Sequence, residues 1–455
     1  MPLVSINPAT GRLIKRHREH TPAQTSAALA SAHQAFLDWR LLPIPSRARH
    51  LAAVGATLLR QRDTLAQLIT TEMGKPLAEA RAEIEKCAAC CDFYAKHAAR
   101  FLKPQHPVGA PKNTQVCFEP LGVILAIMPW NYPFWQAFRA AVPALMAGNT
   151  VLLKHASNVS GCALAIEHVF AKAGAPAGLL RTVLVSSKAI PALIRDPRVR
   201  GVTLTGSTAA GRRVAALAGA ALKPAVLELG GSDPYIVLAD ADLDLAAEIC
   251  AKARLINNGQ SCISAKRFIV VESVRAAFTE KVLARLAARR VGDPSEAATE
   301  VGPLARADLR TELHAQVLRS VKKGAHLLLG GTLPKGRGFY YPVTVLANVR
   351  PGMPAYDEEL FGPVAAIIAA KDEADAIRIA NDTPFGLGAA VFTRNRRRGA
   401  AIAREQLDAG MVFVNDFVRS DLALPFGGVK QSGLGRELSA FGLHEFVNIK
   451  TLWVA

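Results

Sequence analysis

The sequence predicts an α/β protein built on two doubly wound parallel sheets with a small additional β element. Three observations carry this. Short apolar runs suited to buried strands alternate with helical patterns over residues 123–220. A second alternating series begins just after Gly230-Gly231 and runs to Val414. The first hundred residues instead place Ala and Leu mostly at helical spacing. Repeated strand-then-helix units favour parallel sheets covered on both faces.

Taken in order, residues 21–39 and 46–73 read as helices opened by Thr21-Pro22 and Pro45-Ser46. Proline suits such starts because the first-turn N–H has no helical partner anyway. Residues 76–100 continue the helical pattern, 115–119 turn strand-like, and 123–128 form an apolar run for a buried strand. Strands are then expected at 151–154, 180–185 and 201–205, and helices at 160–173, 189–195 and 208–220. In the second series, strands fall at 236–239 and 268–272, helices at 245–255 and 274–288. This order divides the chain into one α/β unit (1–106 and 123–229), a second α/β unit (230–425), and the remaining segments 107–122 and 426–455. There is no internal repeat and no low-complexity linker. The short apolar tail, 442–455, suits pairing with another subunit.

Of the 455 residues, 50% are hydrophobic and 20% charged, too apolar for a disordered chain and long enough for two or three cores. The net charge is +18. Its arginines lie in short clusters (Arg195, Arg198, Arg200; Arg394, Arg396, Arg397, Arg398), with no nucleic-acid motif beside them. The excess reads as solvated faces and steering of anionic small molecules, not a nucleic-acid site. Residues 1–20 lack the apolar core of a secretion signal. The most apolar stretch, 121–153, is interrupted by Pro129, Asn131, Pro133, Arg139, Pro143 and Asn149. No uninterrupted run of about 18 apolar residues exists, so no membrane span is expected. Seven cysteines in so long a chain make no disulfide framework, which points to reduced thiols in the cytoplasm.

Four segments carry chemistry. Asn258-Gly259-Gln260-Ser261-Cys262 sets a small-residue turn before a cysteine. Such a turn can expose the thiolate, the nucleophilic form of the side chain, although most intracellular cysteines are inert and buried. Leu227-Glu228-Leu229-Gly230-Gly231 surrounds a carboxylate with apolar residues. Burial would raise its pKa toward that of a general base near neutrality; a salt-bridged Glu is the plainer alternative. In Met128-Pro129-Trp130-Asn131-Tyr132-Pro133 two prolines hold an amide rigid. A fixed neutral donor suits a developing oxyanion, and an Asn bonded to its own loop is the alternative. Thr205-Gly206-Ser207-Thr208 closes a strand and opens a helix whose free amides can hold a pyrophosphate. It lacks the GxGxxG fingerprint, so alone it says little. Lys154 ends its strand and suits ribose hydroxyls, or is an ordinary solvated lysine.

The same segments, in order, resemble the aldehyde dehydrogenase superfamily. The matching pieces are Pro129-Trp130-Asn131-Tyr132-Pro133, Thr205-Gly206-Ser207, Glu228-Leu229-Gly230-Gly231, Gly259-Gln260-Ser261-Cys262, Glu359-Leu360-Phe361-Gly362-Pro363 and Pro425-Phe426-Gly427-Gly428-Val429-Lys430-Gln431-Ser432-Gly433. They span the chain from Asn7-Pro8-Ala9-Thr10-Gly11 to the tail. The resemblance implies two Rossmann-type domains, 1–106 with 123–229 dinucleotide-binding and 230–425 catalytic, with 107–122 and 426–455 as a small β oligomerisation element. It implies Cys262 as nucleophile, Asn131 with the Cys262 amide as oxyanion hole, and Glu228 as the base that activates water. Trp130, Lys154, Ser157, Gly206, Ser207, Gly230, Glu359 and Phe361 are the implied cofactor contacts. Many NAD-preferring relatives carry an acidic residue where this chain has Ser157, so NADP or NAD is expected, with NADP not repelled.

Within the superfamily the sequence is most similar to bacterial succinate-semialdehyde dehydrogenases, including His155-Ala156, Gly231-Ser232-Asp233-Pro234 and Gly442-Leu443-His444-Glu445-Phe446. Arg139 falls where such relatives place an arginine for the substrate carboxylate, since a guanidinium binds it with two parallel hydrogen bonds. A helix-surface salt bridge is its alternative. Arg419, Ser420 and Asp421 are further substrate contacts. Two departures matter: Ile256 stands where some relatives carry a second clamping arginine, and Ser264 where some carry a redox-switch cysteine. Cys87, Cys90 and Cys91 share a helical pattern and read as packing, with no metal site expected. Other open readings are glutarate semialdehyde or an aliphatic aldehyde as substrate, and an idle binding protein on the same fold. CoA acylation is disfavoured because the Glu228 position is occupied. The resemblance also implies a homodimer or homotetramer joined through the segment before Pro129 and the C-terminal strand.

Overall fold

A computed structural model describes residues 3–455. Two sheets dominate. The first is six-stranded, in the order Gly433–Leu434, Ala225–Glu228, Val199–Thr205, Val123–Met128, Thr150–His155, Leu180–Thr182. All its pairings are parallel except that of Gly433–Leu434, which runs antiparallel to Ala225–Glu228. The second is seven-stranded: His326–Leu329, Thr344–Ala347, Val364–Ala370, Arg267–Val271, Pro234–Val237, Gly388–Phe392, Met411–Val414. Only its edge strand His326–Leu329 is antiparallel. This is the pair of doubly wound sheets expected.

Alternate residues of one strand point to opposite faces, and the buried clusters follow that rule. Ile124, Ala126 and Met128 pack into the core formed with the N-terminal helices, while Val123, Leu125 and Ile127 pack into the core on the other face. In the second sheet Ile269 and Val271 face one core and Phe268 and Val270 the other. Both sheets are therefore buried twice over, which is why their strands read as continuous apolar runs.

The N-terminal helices lean on the first sheet. Pro22–Trp39 opens with a capping box between Thr21 and Gln24, and its last residue donates from Trp39 Nε1 to the Leu145 carbonyl at 2.8 Å. The helix expected over 46–73 is two helices, Ile44–Arg60 and Arg62–Met73. Gln61, at φ −104° and ψ 8°, leaves the helical region between them. The break lets Leu51, Val54 and Leu58 and then Leu65, Ile69 and Met73 reach one core. Leu77–Phe101 buries Cys87, Cys90 and Cys91, and all seven cysteines are unpaired.

The tail begins with a short helix, Ser439–His444, and then forms the strand Val447–Trp453. That strand pairs antiparallel with Thr114–Pro120 of the same chain, Val447 opposite Pro120 and Trp453 opposite Thr114. No described helix is long and apolar enough to cross a membrane.

Candidate active site

The strands of the first sheet deliver the motif residues at their carboxyl ends, where ligands bind in open α/β sheets. Val123–Met128 leads into Pro129-Trp130-Asn131. Val199–Thr205 leads into Gly206-Ser207, and Ala225–Glu228 into Leu229-Gly230. The central strand Val123–Met128 is flanked by Thr150–His155 on one side and Val199–Thr205 on the other. The chain thus reverses its winding beside the Gly206-Ser207 turn. A cleft of about 640 Å³ opens there, lined by Trp130, Asn131, Gly206, Ser207 and Gly230 and by Arg306, Glu359 and Phe361 from the other unit.

Several features of this cleft fit a dinucleotide. Ser207 caps the helix Thr208–Ala220, accepting from the Ala210 amide; the Thr208 and Ala209 amides lie in a first turn without intrahelical acceptors. Deeper in, Trp130 meets Phe361 edge to face at 5.7 Å, an apolar wall for a planar ring. Glu359 accepts from the Gly231 amide at 3.1 Å and pairs with Lys266 at 3.5 Å. Lys154 and Ser157 stand at the end of the neighbouring strand Thr150–His155, outside the residues that line the cleft.

Cys262 lies where this cleft meets a second cavity of about 300 Å³. Three successive left-handed residues, Asn257 (φ 57°), Asn258 (φ 58°) and Gly259 (φ 73°), turn the chain into it. Such backbone costs about 1–3 kcal/mol at a non-glycine residue, and here the asparagine side chains anchor it. Asn257 Nδ2 donates to the Asn131 and Gln260 carbonyls at 2.8 and 3.0 Å. Asn258 Nδ2 donates to the Gly74 and Pro303 carbonyls at 2.9 and 3.0 Å. A Cβ on Gly259 would stand 2.4 Å from the Gly362 backbone, so only glycine fits. Beyond the turn, buried Lys266 donates from Nζ to the Ser261 and Cys262 carbonyls at 2.9 and 2.7 Å.

The Asn131 amide is oriented from both ends. Its Oδ1 accepts from Gln136 Nε2 at 3.0 Å, and one Nδ2 hydrogen goes to the Gln260 carbonyl at 3.0 Å. The second hydrogen is left for the cleft that Asn131 and Cys262 both line. Its loop is braced as well. Glu83 accepts from the Phe134 and Trp135 amides at 2.8 and 2.9 Å where the helix Trp135–Ala147 begins, and His155 Nε2 bonds the Pro133 carbonyl at 2.7 Å.

Burial pushes the Cys262 thiol up to about 12, against the pull of Arg139 and Lys266; Glu359 and Glu228 push it the same way as burial. Glu228 is 1% exposed, and neither of its carboxyl oxygens has a partner among the described residues. Burial, and then the neighbouring Glu437 carboxylate, raise its pKa well above the usual range. Its carboxyl lies beside Gly427, close enough for its charge to bear on the thiol, but it lines neither cavity.

The second cavity brings together Lys86, Trp135, Arg139, Phe417, Arg419 and Ser420. Arg139 is buried and ion-paired with Glu437, with its guanidinium 4.4 Å over the Phe426 ring. Arg419 is half-exposed and pairs with Asp416 at 2.6 Å. Asp421 is turned to its own loop, accepting from the Ala423 amide at 2.8 Å, and does not line the cavity. Lys86, Gln136, Asn257 and Lys266 escaped the sequence reading. Lys266 alone left a trace there, a cation at the mouth of the apolar run Phe268-Ile269-Val270-Val271.

Comparisons with known proteins agree along the whole chain. Residues 2–452 match the aldehyde dehydrogenase family. The chain is 49% identical over 450 residues to the succinate semialdehyde dehydrogenase [NAD(P)+] Sad of Escherichia coli (strain K12), covering 99% of this chain and 97% of that protein. Among solved structures it is similar to Gox0499, studied for cofactor and substrate selection, with TM-score 0.98 and 42% identity over 100% of both chains. It is also similar to the Streptococcus pyogenes succinic semialdehyde dehydrogenase in complex with NADP+, with TM-score 0.96 and 35% identity over 99% of both.

Proposed function

Because the chain belongs to the aldehyde dehydrogenase family, we propose that it oxidises a carboxylate-bearing aldehyde, succinate semialdehyde foremost, to the acid with NADP or NAD. The observation that carries this is the position of Cys262, which lines both the dinucleotide-sized cleft and a cavity rimmed by cationic side chains. The names of the similar proteins support the same substrate and cofactor.

In the reaction, Cys262 gives its proton to water in the cleft and its sulfur bonds the aldehyde carbon, giving a thiohemiacetal. The oxygen gains charge at that moment, and the pre-aimed Asn131 amide holds it with the Cys262 N–H. A fixed dipole of this kind stabilises the transition state without reorganising. Trp130, Phe361, Glu359 and the Ser207 helix start would hold the nicotinamide dinucleotide, with Lys154 and Ser157 at the neighbouring strand end for its ribose; it would supply the hydride acceptor, and loss of hydride would leave a thioester on Cys262. Glu228 then takes a proton from water, the hydroxide adds to the acyl carbon, and the Cys262 sulfur departs as the acid is released. To reach that water Glu228 would turn its carboxyl into the cleft. The first unit holds the cofactor, the second supplies Cys262 and Glu359, and the β ribbon seats a second copy of the chain. Along that ribbon Ile449 is 65% and Trp453 62% exposed. The seven unpaired thiols support a reducing, cytoplasmic setting.

Three measurements test this reading. Steady-state kcat/KM with succinate semialdehyde is expected to exceed that with butanal by at least about tenfold, as a charge-assisted carboxylate contact requires; equal values would reject the substrate. NADP is expected to serve at least as well as NAD, because Ser157 offers no carboxylate to repel a 2′-phosphate; a large NAD preference would reject that part. Asn131→Ala is expected to lower kcat by roughly 10²–10³-fold, with dinucleotide affinity unchanged when titrated by fluorescence.

A further inference from the structure

We propose that Lys86, more than Arg139, is the residue that selects carboxylate-bearing aldehydes. The inference rests on the preceding reading that the substrate is anionic. Arg139 already holds a carboxylate. Glu437 pairs with it, Thr205 Oγ1 accepts from its Nη2 at 3.3 Å, and Phe426 covers its face. A substrate carboxylate on Arg139 would share that guanidinium with Glu437, itself buried, whose charge offsets much of its pull. Arg419 is engaged by Asp416.

Lys86 is different. Its Nζ donates only to neutral acceptors, the Ser420 carbonyl at 2.9 Å and Ser420 Oγ at 2.5 Å. It stands 4.5 Å over the Trp135 ring and makes no ion pair with any described carboxylate. It lines the same cavity as Cys262. An ammonium with a third hydrogen to give, partly buried in the cavity wall and without an ion-pair partner, is a site for an anion. Ser420 holds it against the cavity wall, and its hydroxyl offers the bound carboxylate a second donor.

The groups that face Lys86 set a pH signature. Glu83, Cys87 and Cys90 share its helix, Arg139 faces it from Trp135–Ala147, Asp421 and Arg419 from the loop, and Cys262 from the turn. Burial first, then the Arg139 charge, bring Lys86 down to about 8; Cys87, Cys90 and Asp421 act in the opposite direction. Lys86 therefore carries its charge below about pH 8 and loses it above.

The test is the ratio of kcat/KM for succinate semialdehyde to that for butanal. The ratio cancels the ionisation of Cys262 and Glu228, and any inactive fraction of a preparation, because both substrates meet the same enzyme; kcat/KM also reports the free enzyme's groups. In the unaltered protein the ratio should be high at neutral pH and fall about tenfold per unit above the Lys86 transition. Lys86→Met should lower the neutral-pH ratio by roughly ten- to hundredfold. Lys86→Arg should keep it within a few-fold and remove the alkaline fall, since a guanidinium does not titrate there. An unchanged ratio in Lys86→Met, or a flat ratio in the unaltered protein through this range, would overturn the role of Lys86. A neutral-pH ratio near one in the unaltered protein would instead reject the anionic substrate.

Discussion

Cys262→Ala will abolish aldehyde oxidation while leaving dinucleotide binding intact. The expected loss in kcat is on the order of ten-thousandfold or more, the scale seen when a covalent nucleophile is removed from an otherwise complete site. The reason lies in the carbonyl: an aldehyde hydrogen departs as hydride only once a tetrahedral oxyanion pushes it, and alanine cannot make that adduct. The cleft loses little, because its cofactor-facing walls come from Trp130, Ser207, Glu359 and Phe361. Stopped assays at high enzyme concentration, beside fluorescence titration of the dinucleotide, separate the two effects. Substantial turnover in the variant would remove the thiol from the reaction.

Glu228→Gln will stall the enzyme after one turnover. General-base help is worth roughly 10²–10⁴-fold, so steady-state turnover should fall on that scale while the first burst of reduced dinucleotide keeps its amplitude. Glutamine preserves the shape of a buried side chain whose carboxyl lies beside Gly427 but cannot accept water's proton. The pH profile gives a second reading. Burial and Glu437 raise the Glu228 pKa, so the carboxylate fraction, and with it deacylation, should increase as pH rises; the variant should lose that dependence. Equal losses of burst and steady state would assign Glu228 to another step.

The sequence was most legible where chemistry is local. Pro129 to Pro133 and Gly259 to Cys262 are contiguous segments, and their strand-end or turn positions follow from apolar runs beside Gly and Pro. Contacts across the chain left no such trace. Lys86 and Ser420 are 334 residues apart in sequence, and Gln136 in a wholly buried helix looks like any polar interruption. Arg139 shows the same limit. Its position suggested a carboxylate partner, and it has one, but the partner is Glu437 from the far end of the chain. The break at Gln61 was invisible because neither glycine nor proline marks it; packing of both helices on one core decides it.

The junction at Cys262 governs traffic. Since the thiol is reached through two separate doorways, with Arg306 beside one and Arg419 beside the other, the two reactants need not queue. On the proposed mechanism, spent dinucleotide would be exchanged while the acyl group is still attached, and the finished acid would depart on its own side without waiting for the larger molecule to move.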